Sequence, residues 1–312
     1  MRYDRAQSFL PTSMALWQFN KDLRDLNDFY WASRLSLDIT ARQHKAHSNL
    51  NGPELLAQLT TGSEAETHVG HTPEELSTRL RMADRWLRLT ALVLASSAFE
   101  RYLIAAVSAA VASDPLLVAG WPKRVDGLGL LKHKVVMPER NLEGTVKGEW
   151  HRRVASYKQL FRNAPRELTG SLPELEALRR IRNAVAHEFG SDVNPSLTPT
   201  TALLLSIRRH RRTGFRSVTI SHNRLIAALR LLDKVANSID QQLLKDHIGG
   251  YELAAIYLDW QENPARFEKD VGVVLRAGKK SHNERFTNVM GEFVQPFGKA
   301  YEKSMSAYLD TL

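Results

Sequence analysis

Apolar residues recur along this chain at spacings of three and four and almost nowhere in sustained alternation, a pattern that predicts helices. "SHNRLIAALRLLDKVANSIDQQLLKDHIGG" is the plainest case. Leu225, Leu229, Leu232, Val235, Ile239 and Leu243 recur at helical spacing, and paired glycines end the run. Upstream, "THVGHTPEELSTRL" offers Thr72 as N-cap, Pro73 at the first helical position and Glu75 three residues after the cap. The helical pattern then holds to about Ser113, where "SDP" stops it. Its centre, Ala91 to Val111, is the most apolar run and long enough to cross a bilayer, but carries Glu100 and Arg101 mid-way. Charges there are costly in lipid, so the run reads as the buried helix of a soluble protein.

Weaker signals fill in the rest. Residues 15–60 look helical but only weakly periodic, and Gly62 to Gly70 reads as a loop. From Gly120 to Gly148 glycine and proline punctuate the chain, which predicts mostly loop, followed by a helix around Glu149 to Phe161. In "SLPELEALRRIRNAVAHEFG" Ser171 and Glu174 form a capping-box pattern with Pro173 in the first turn, and Gly190 supplies the stop. The runs "ALLLSI" and "SVTIS" flank the basic "RRHRRTGFR" and predict a hairpin. The tail after Trp260 looks helical, with Pro296 as a break. The sum is an all-α bundle with a loop-rich insertion: a helical N-terminal extension over 1–71, a central domain over 72–260 and a helical C-terminal extension over 261–312.

Composition narrows this picture in two ways. The chain has no cysteine, which excludes disulfides, thiolate metal sites and thiol catalysis and suits an intracellular protein. Its formal net charge of +9 favours polyanionic partners, nucleic acid first among them. The N-terminus shows no apolar secretory segment. Nothing else in the composition departs from an ordinary globular protein of 312 residues.

The chemistry concentrates in "LRRIRNAVAHEFG". On an ideal helix Ile181, Val185 and Phe189 fall within about 60° of Leu178, and Arg182 lies inside that stripe. A guanidinium on a core-facing stripe is costly unless paired or placed at an opening or interface. Glu100, set in the apolar Ala91–Val111 run, is the expected partner. Asn183 and His187 are four apart and share the neighbouring face, with His187 in the last turn, where the helix dipole favours imidazolium. The bland reading stays open: a buried ion pair, a surface amide and a helix-end histidine. Arg42 to His47 repeats the same spacing, but without the asparagine, the two signed helix ends or the stripe. His44, His47, His68 and His71 lack the carboxylate spacing of a metal site, and no Walker loop or G-x-S-x-G elbow is present.

"LEALRRIRNAVAHEFG" resembles the signature helix of the HEPN superfamily, with its R-x4–6-H motif and a polar residue just after the arginine. "LVLASSAFERYL" is similar to the long first core helix of that superfamily, which often carries an acidic residue where Glu100 stands, and "ISHNRLIAALRLLDKVANSID" resembles its closing helix. The resemblance covers roughly 72–260 and implies a HEPN-like bundle acting as a metal-independent endoribonuclease, without cofactor, as a cytoplasmic homodimer with one composite cleft. Arg182, Asn183, His187 and Glu100 are its expected catalytic set. The basic run contributes Arg208, Arg209, Arg211, Arg212 and Arg216 as an RNA-binding arm. The expected partners are tRNA, mRNA or phage RNA, and an antitoxin or sensor protein of the kind that accompanies toxins and anti-phage effectors; no membrane is expected. The alternative reading is a non-catalytic HEPN module that binds nucleic acid, a nucleotide or a protein, and a third is a structural helical adaptor.

Overall fold

The computed structural model describes residues 3–46, 73–135, 142–188, 191–193, 215–270, 286, 290 and 299–312, with backbone alone at 73, 187–188, 191–193, 215–217 and 299–300. Among the described residues the fold is all-α apart from one short ladder. The first helix, α1, runs from Met14 to Ala46, and α2 from Pro73 to Ser113, so Pro73 opens its helix as predicted. Thr72 and the Gly62–Gly70 loop lie outside the described residues. By length and composition α2 could cross a membrane, yet half of its most apolar window is buried inside the protein. Leu89, Ala91, Leu92, Ala95, Ala106, Val107 and Ala110 are fully buried, small residues alternating with large ones along the packed face.

The insertion is less loop-like than its glycines suggest. A 3-10 turn at Leu117–Ala119 precedes it, and it contains the helix α3 at Gly127–Lys132 and another 3-10 turn at Glu143–Thr145. Asp126 caps α3 by accepting from the Leu128 N–H at 3.0 Å. Helix α4 follows at Trp150–Phe161, where it is expected, then α5 at Arg166–Gly170 and α6 at Leu172–Glu188. The expected capping box at Ser171 is not formed. Because α5 ends immediately before it, Ser171 is the C-cap of that helix, with φ −109° and ψ 16° instead of an extended N-cap geometry.

Strands β1 (Ser191–Val193) and β2 (Phe215–Ser217) pair antiparallel, Ser191 with Ser217, Asp192 with Arg216 and Val193 with Phe215. Of the predicted strand "SVTIS" only Ser217 is in the ladder. The reason is specific: Arg85 Nε donates to the Val218 carbonyl at 2.8 Å and Arg88 Nε to the Ile220 carbonyl at 2.7 Å, so side chains of α2 take the acceptors a ladder needs. "ALLLSI" lies outside the described residues. Helix α7 (His222–Leu243) buries Leu225, Leu232, Val235, Ile239 and Leu243, while Leu229 is half-buried. It runs into a π turn at Leu244–Ile248. Gly249 ends that turn at φ +50°, where a Cβ would lie 2.4 Å from the Arg5 carbonyl oxygen. Helices α8 (Tyr251–Glu262), α9 (Pro264–Asp270) and α10 (Lys299–Thr311) make the tail helical as expected, and Pro296 is outside the described residues.

The chain divides into two compact units that cut across the boundaries at 71/72 and 260/261. One unit comprises 1–20, 99–172 and 233–312, the other 21–98 and 173–232. In the first, both chain ends share a core: Leu10, Leu128, Leu253, Tyr257, Trp260, Phe286, Met305 and Leu309 are buried together. Arg5 ties the N-terminal segment in. Its Nε meets Asp126 at 3.0 Å, Nη1 donates to the Ile248 carbonyl at 2.7 Å, and Nη2 donates to the Ser113 carbonyl at 3.1 Å and to Ser113 Oγ at 2.6 Å.

Two buried carboxylates hold the start of α1 in this same unit. Asp240 accepts from the backbone N–H and the hydroxyl of Ser13, and Glu252 Oε2 accepts from the Met14 N–H at 3.1 Å. The helix dipole favours both anions, but burial outweighs it and pushes Glu252 up to about 7 and Asp240 upward as well. The folded chain therefore holds the Glu252 proton more tightly than the unfolded one. That stability is complete below the ordinary 4.5 and is lost as pH rises to about 7, a change of roughly 3 kcal/mol. His247, whose pKa burial lowers, gives the opposite slope below its ordinary 6.5. Comparison of Glu252→Gln with wild type isolates the first effect. The expected outcome of denaturant titrations between pH 4.5 and 8 is that their difference in stability changes with pH, with Glu252→Gln relatively most favoured at the alkaline end.

Candidate functional site

The predicted site helix, α6, is anchored by Leu175, which is 1% exposed. Glu176 receives Arg179 in a two-oxygen contact, Nε to Oε1 at 3.1 Å and to Oε2 at 3.0 Å, and Arg180 at 3.5 Å. These are helix neighbours three and four apart, so they support the helix locally. Leu178, Ile181, Arg182 and Val185 are half-buried, so the expected stripe sits at the margin of the packing and not deep within it. A half-buried residue carries a smaller desolvation cost than a core one.

Arg182 Nη1 donates to Asn183 Oδ1 at 3.0 Å. Successive residues on a helix point about 100° apart, so this bond requires the arginine chain to curl around the helix towards the amide. With Oδ1 accepting, the amide NH2 of Asn183 remains a donor. His187 lies in the last turn of α6, and its side chain lies outside the described residues. The structure thus brings Arg182 and Asn183 into direct contact and carries His187 on the same helix.

Glu100 belongs to the other unit, and there it has a partner absent from the sequence reading. Arg153 of α4 donates to it through Nη2 at 3.1 Å, donates through Nε to the Gly148 carbonyl at 2.9 Å, and lies over the Trp150 ring at 4.7 Å. Arg153 is 5% exposed, whereas the Glu100 side chain is 24% exposed. Ile104, one turn beyond Glu100, is 48% exposed, so Glu100 stands at the edge of the apolar face and not at its centre. The same sign that drew attention to Arg182 was available for Arg153. It interrupts the stripe Trp150, Val154, Tyr157 and Phe161 at helical spacing.

The expected RNA-binding residues Arg208, Arg209, Arg211 and Arg212 lie outside the described residues. Arg216 pairs through its backbone with Asp192 in the ladder, and its side chain is likewise outside. The chain just beyond the basic run is fixed by the contacts of Arg85 and Arg88 to Val218 and Ile220. Arg88 is itself held by Asp84, which also receives Arg34 of α1. Among the described residues no group of three or more His, Asp or Glu is placed to hold a metal ion. The chain matches no protein-family model, and comparison with the curated proteins and with solved structures gives no match either.

Chemically, the described part of α6 offers a fixed planar cation and a neighbouring amide donor. Such a pair is suited to the oxygens of a phosphate or carboxylate. The Glu100–Arg153 contact has a structural duty, because a buried guanidinium without its carboxylate is costly. Arg153→Ala is expected to lower stability by about 3–5 kcal/mol, and Glu100→Gln by about 1 kcal/mol, since the amide can still accept. Equilibrium urea unfolding checks both; equal small losses would contradict this assignment.

Proposed function

We propose that the chain is a metal-independent endoribonuclease of the HEPN type, with its site completed across a homodimer. The observation that carries this reading is the Arg182–Asn183 hydrogen bond on the helix whose last turn holds His187. The three residue types match the needs of RNA cleavage. The imidazole takes the proton of a 2′-hydroxyl, the 2′-oxygen attacks the adjacent phosphorus, the bond to the 5′-oxygen breaks, and that oxygen receives a proton. The products are a 2′,3′-cyclic phosphate and a 5′-hydroxyl. Acid–base help of this kind contributes typically 10²–10⁴-fold, and a histidine serves it near neutral pH. Arg182 stabilises the charge developing on the phosphate oxygens, and Asn183 orients it.

Homodimerisation supplies what one helix lacks. Five residues of helix separate Arg182 from His187 by about 140°, a poor arrangement for one phosphate but a workable one when a two-fold axis sets the arginine of one protomer beside the histidine of the other. Charge supports an RNA substrate: residues 173–232 carry ten Lys and Arg against four Asp and Glu. Their chemistry suits backbone contact without base specificity. The biological role that fits is a cytoplasmic toxin or anti-phage effector, restrained or triggered by a partner protein.

The test is incubation of total RNA with wild type, Arg182→Ala and His187→Ala in EDTA. Wild type is expected to cleave and leave 2′,3′-cyclic phosphates, and each variant to lose at least about 10²-fold with its melting temperature unchanged. No cleavage by folded wild type, or cleavage that vanishes with EDTA, would overturn the proposal.

A further inference from the structure

The outward side of α1 carries an apolar stripe that the fold leaves uncovered. Trp31 is 48% exposed, Leu35 61% and Ile39 45%. They stand four apart, so they lie along one side of the helix. The core side of the same helix is elsewhere, at Leu26 and Tyr30, which are 8% and 3% exposed. Solvent-facing large apolar residues are ordinary one at a time; three in register on one helix mark an interaction surface.

The flanking charges say what covers it. Asp28 and Arg42 bracket the stripe, both exposed and neither in an ion pair among the described residues. By contrast Asp38, within the same stretch, is taken by Arg34 at 3.3 Å. The series Asp28, Trp31, Leu35, Ile39, Arg42 has spacings of three, four, four and three. Read backwards, the spacing is the same and the end charges exchange sign. On an ideal helix Asp28 and Arg42 both lie within about 20° of Leu35, one about 10 Å before it and one about 10 Å after. A second copy of this helix laid antiparallel, with a two-fold axis at Leu35, sets Leu35 on its own counterpart. Trp31 then meets Ile39 of the other copy, and Asp28 meets its Arg42, twice over.

We infer that this face of α1 is a self-complementary contact between two copies of the chain. An isologous interface needs a patch that complements itself under a two-fold axis, and the palindromic spacing with opposite end charges meets that requirement. The apolar centre supplies the attraction, and the paired charges fix antiparallel register against a parallel or slipped one, as flanking charges do between paired helices.

Sedimentation of the full chain at tens of micromolar tests this, and its readout is mass, so it stands apart from RNA cleavage. Wild type is expected at twice the protomer mass and Leu35→Asp at the protomer mass, with an unchanged melting temperature because position 35 is exposed. Asp28→Arg and Arg42→Asp should each weaken association at least about tenfold, and the double variant Asp28→Arg/Arg42→Asp should restore it at low salt. Wild type that stays monomeric overturns the inference, as does a Leu35→Asp chain that associates as wild type does, or a double variant no better than its singles.

Discussion

A guanidinium removed from water has to be given acceptors at fixed positions, and this fold uses that requirement repeatedly to place its parts. Arg5 satisfies the carbonyls that close α2 and the π turn while gripping the residue that caps α3, so one cation joins the ends of three elements. Arg153 joins α4 to α2 through Glu100 and the Gly148 carbonyl. Arg85 and Arg88 pin the backbone between β2 and α7. The forks of Arg5, Arg153 and Arg88 each reach two or more acceptors, a geometry a lysine ammonium would not hold. Arg182, half-buried like Arg5, Arg85 and Arg88, turns to a neighbouring amide.

The buried carboxylates follow the opposite logic. Asp240 and Glu252 accept from the first backbone N–H groups at the start of α1, where a negative charge is welcome, yet their burial raises both pKa values. Burial thus favours the protonated form of both groups against the pull of the helix dipole. The margin of α6 carries a half-buried guanidinium, whereas the interior carries carboxyl groups whose protonated form burial favours. The division of labour is set by exposure to water.

Much of the helical order could be read from local signals. Pro73 opening α2, the span of α4, and the apolar face of α7 follow from caps and periodicity, which act within a few residues. Where the reading departs from the structure, a neighbouring element or a distant residue decides. Ser171 is claimed by α5, a five-residue helix with little periodicity to announce it. "SVTIS" loses its ladder to two arginines more than 130 positions away. Arg153 also meets Glu100, and a search for cations inside apolar stripes would have found it. The interleaving of 1–20 and 233–312 with 99–172 in one unit has no signature along the chain, because it depends on contacts such as that of Tyr3 N–H with Ser304 Oγ at 2.7 Å. At the candidate site the motif itself was legible, whereas the half-burial of its stripe, which makes Arg182 accessible, needed three dimensions.

The central claim is that Arg182 and His187 act together across two copies of the chain, and mixing inactive variants tests it most directly. Arg182→Ala and His187→Ala are each purified, combined under conditions that exchange subunits, and assayed on RNA in EDTA. The account predicts that the mixture regains a substantial fraction of wild-type cleavage, because the mixed dimer holds one intact pairing of arginine and histidine. An exchanged mixture as inactive as its components, beside an active wild type, would contradict a composite site; cleavage by either variant alone would remove its residue from the chemistry.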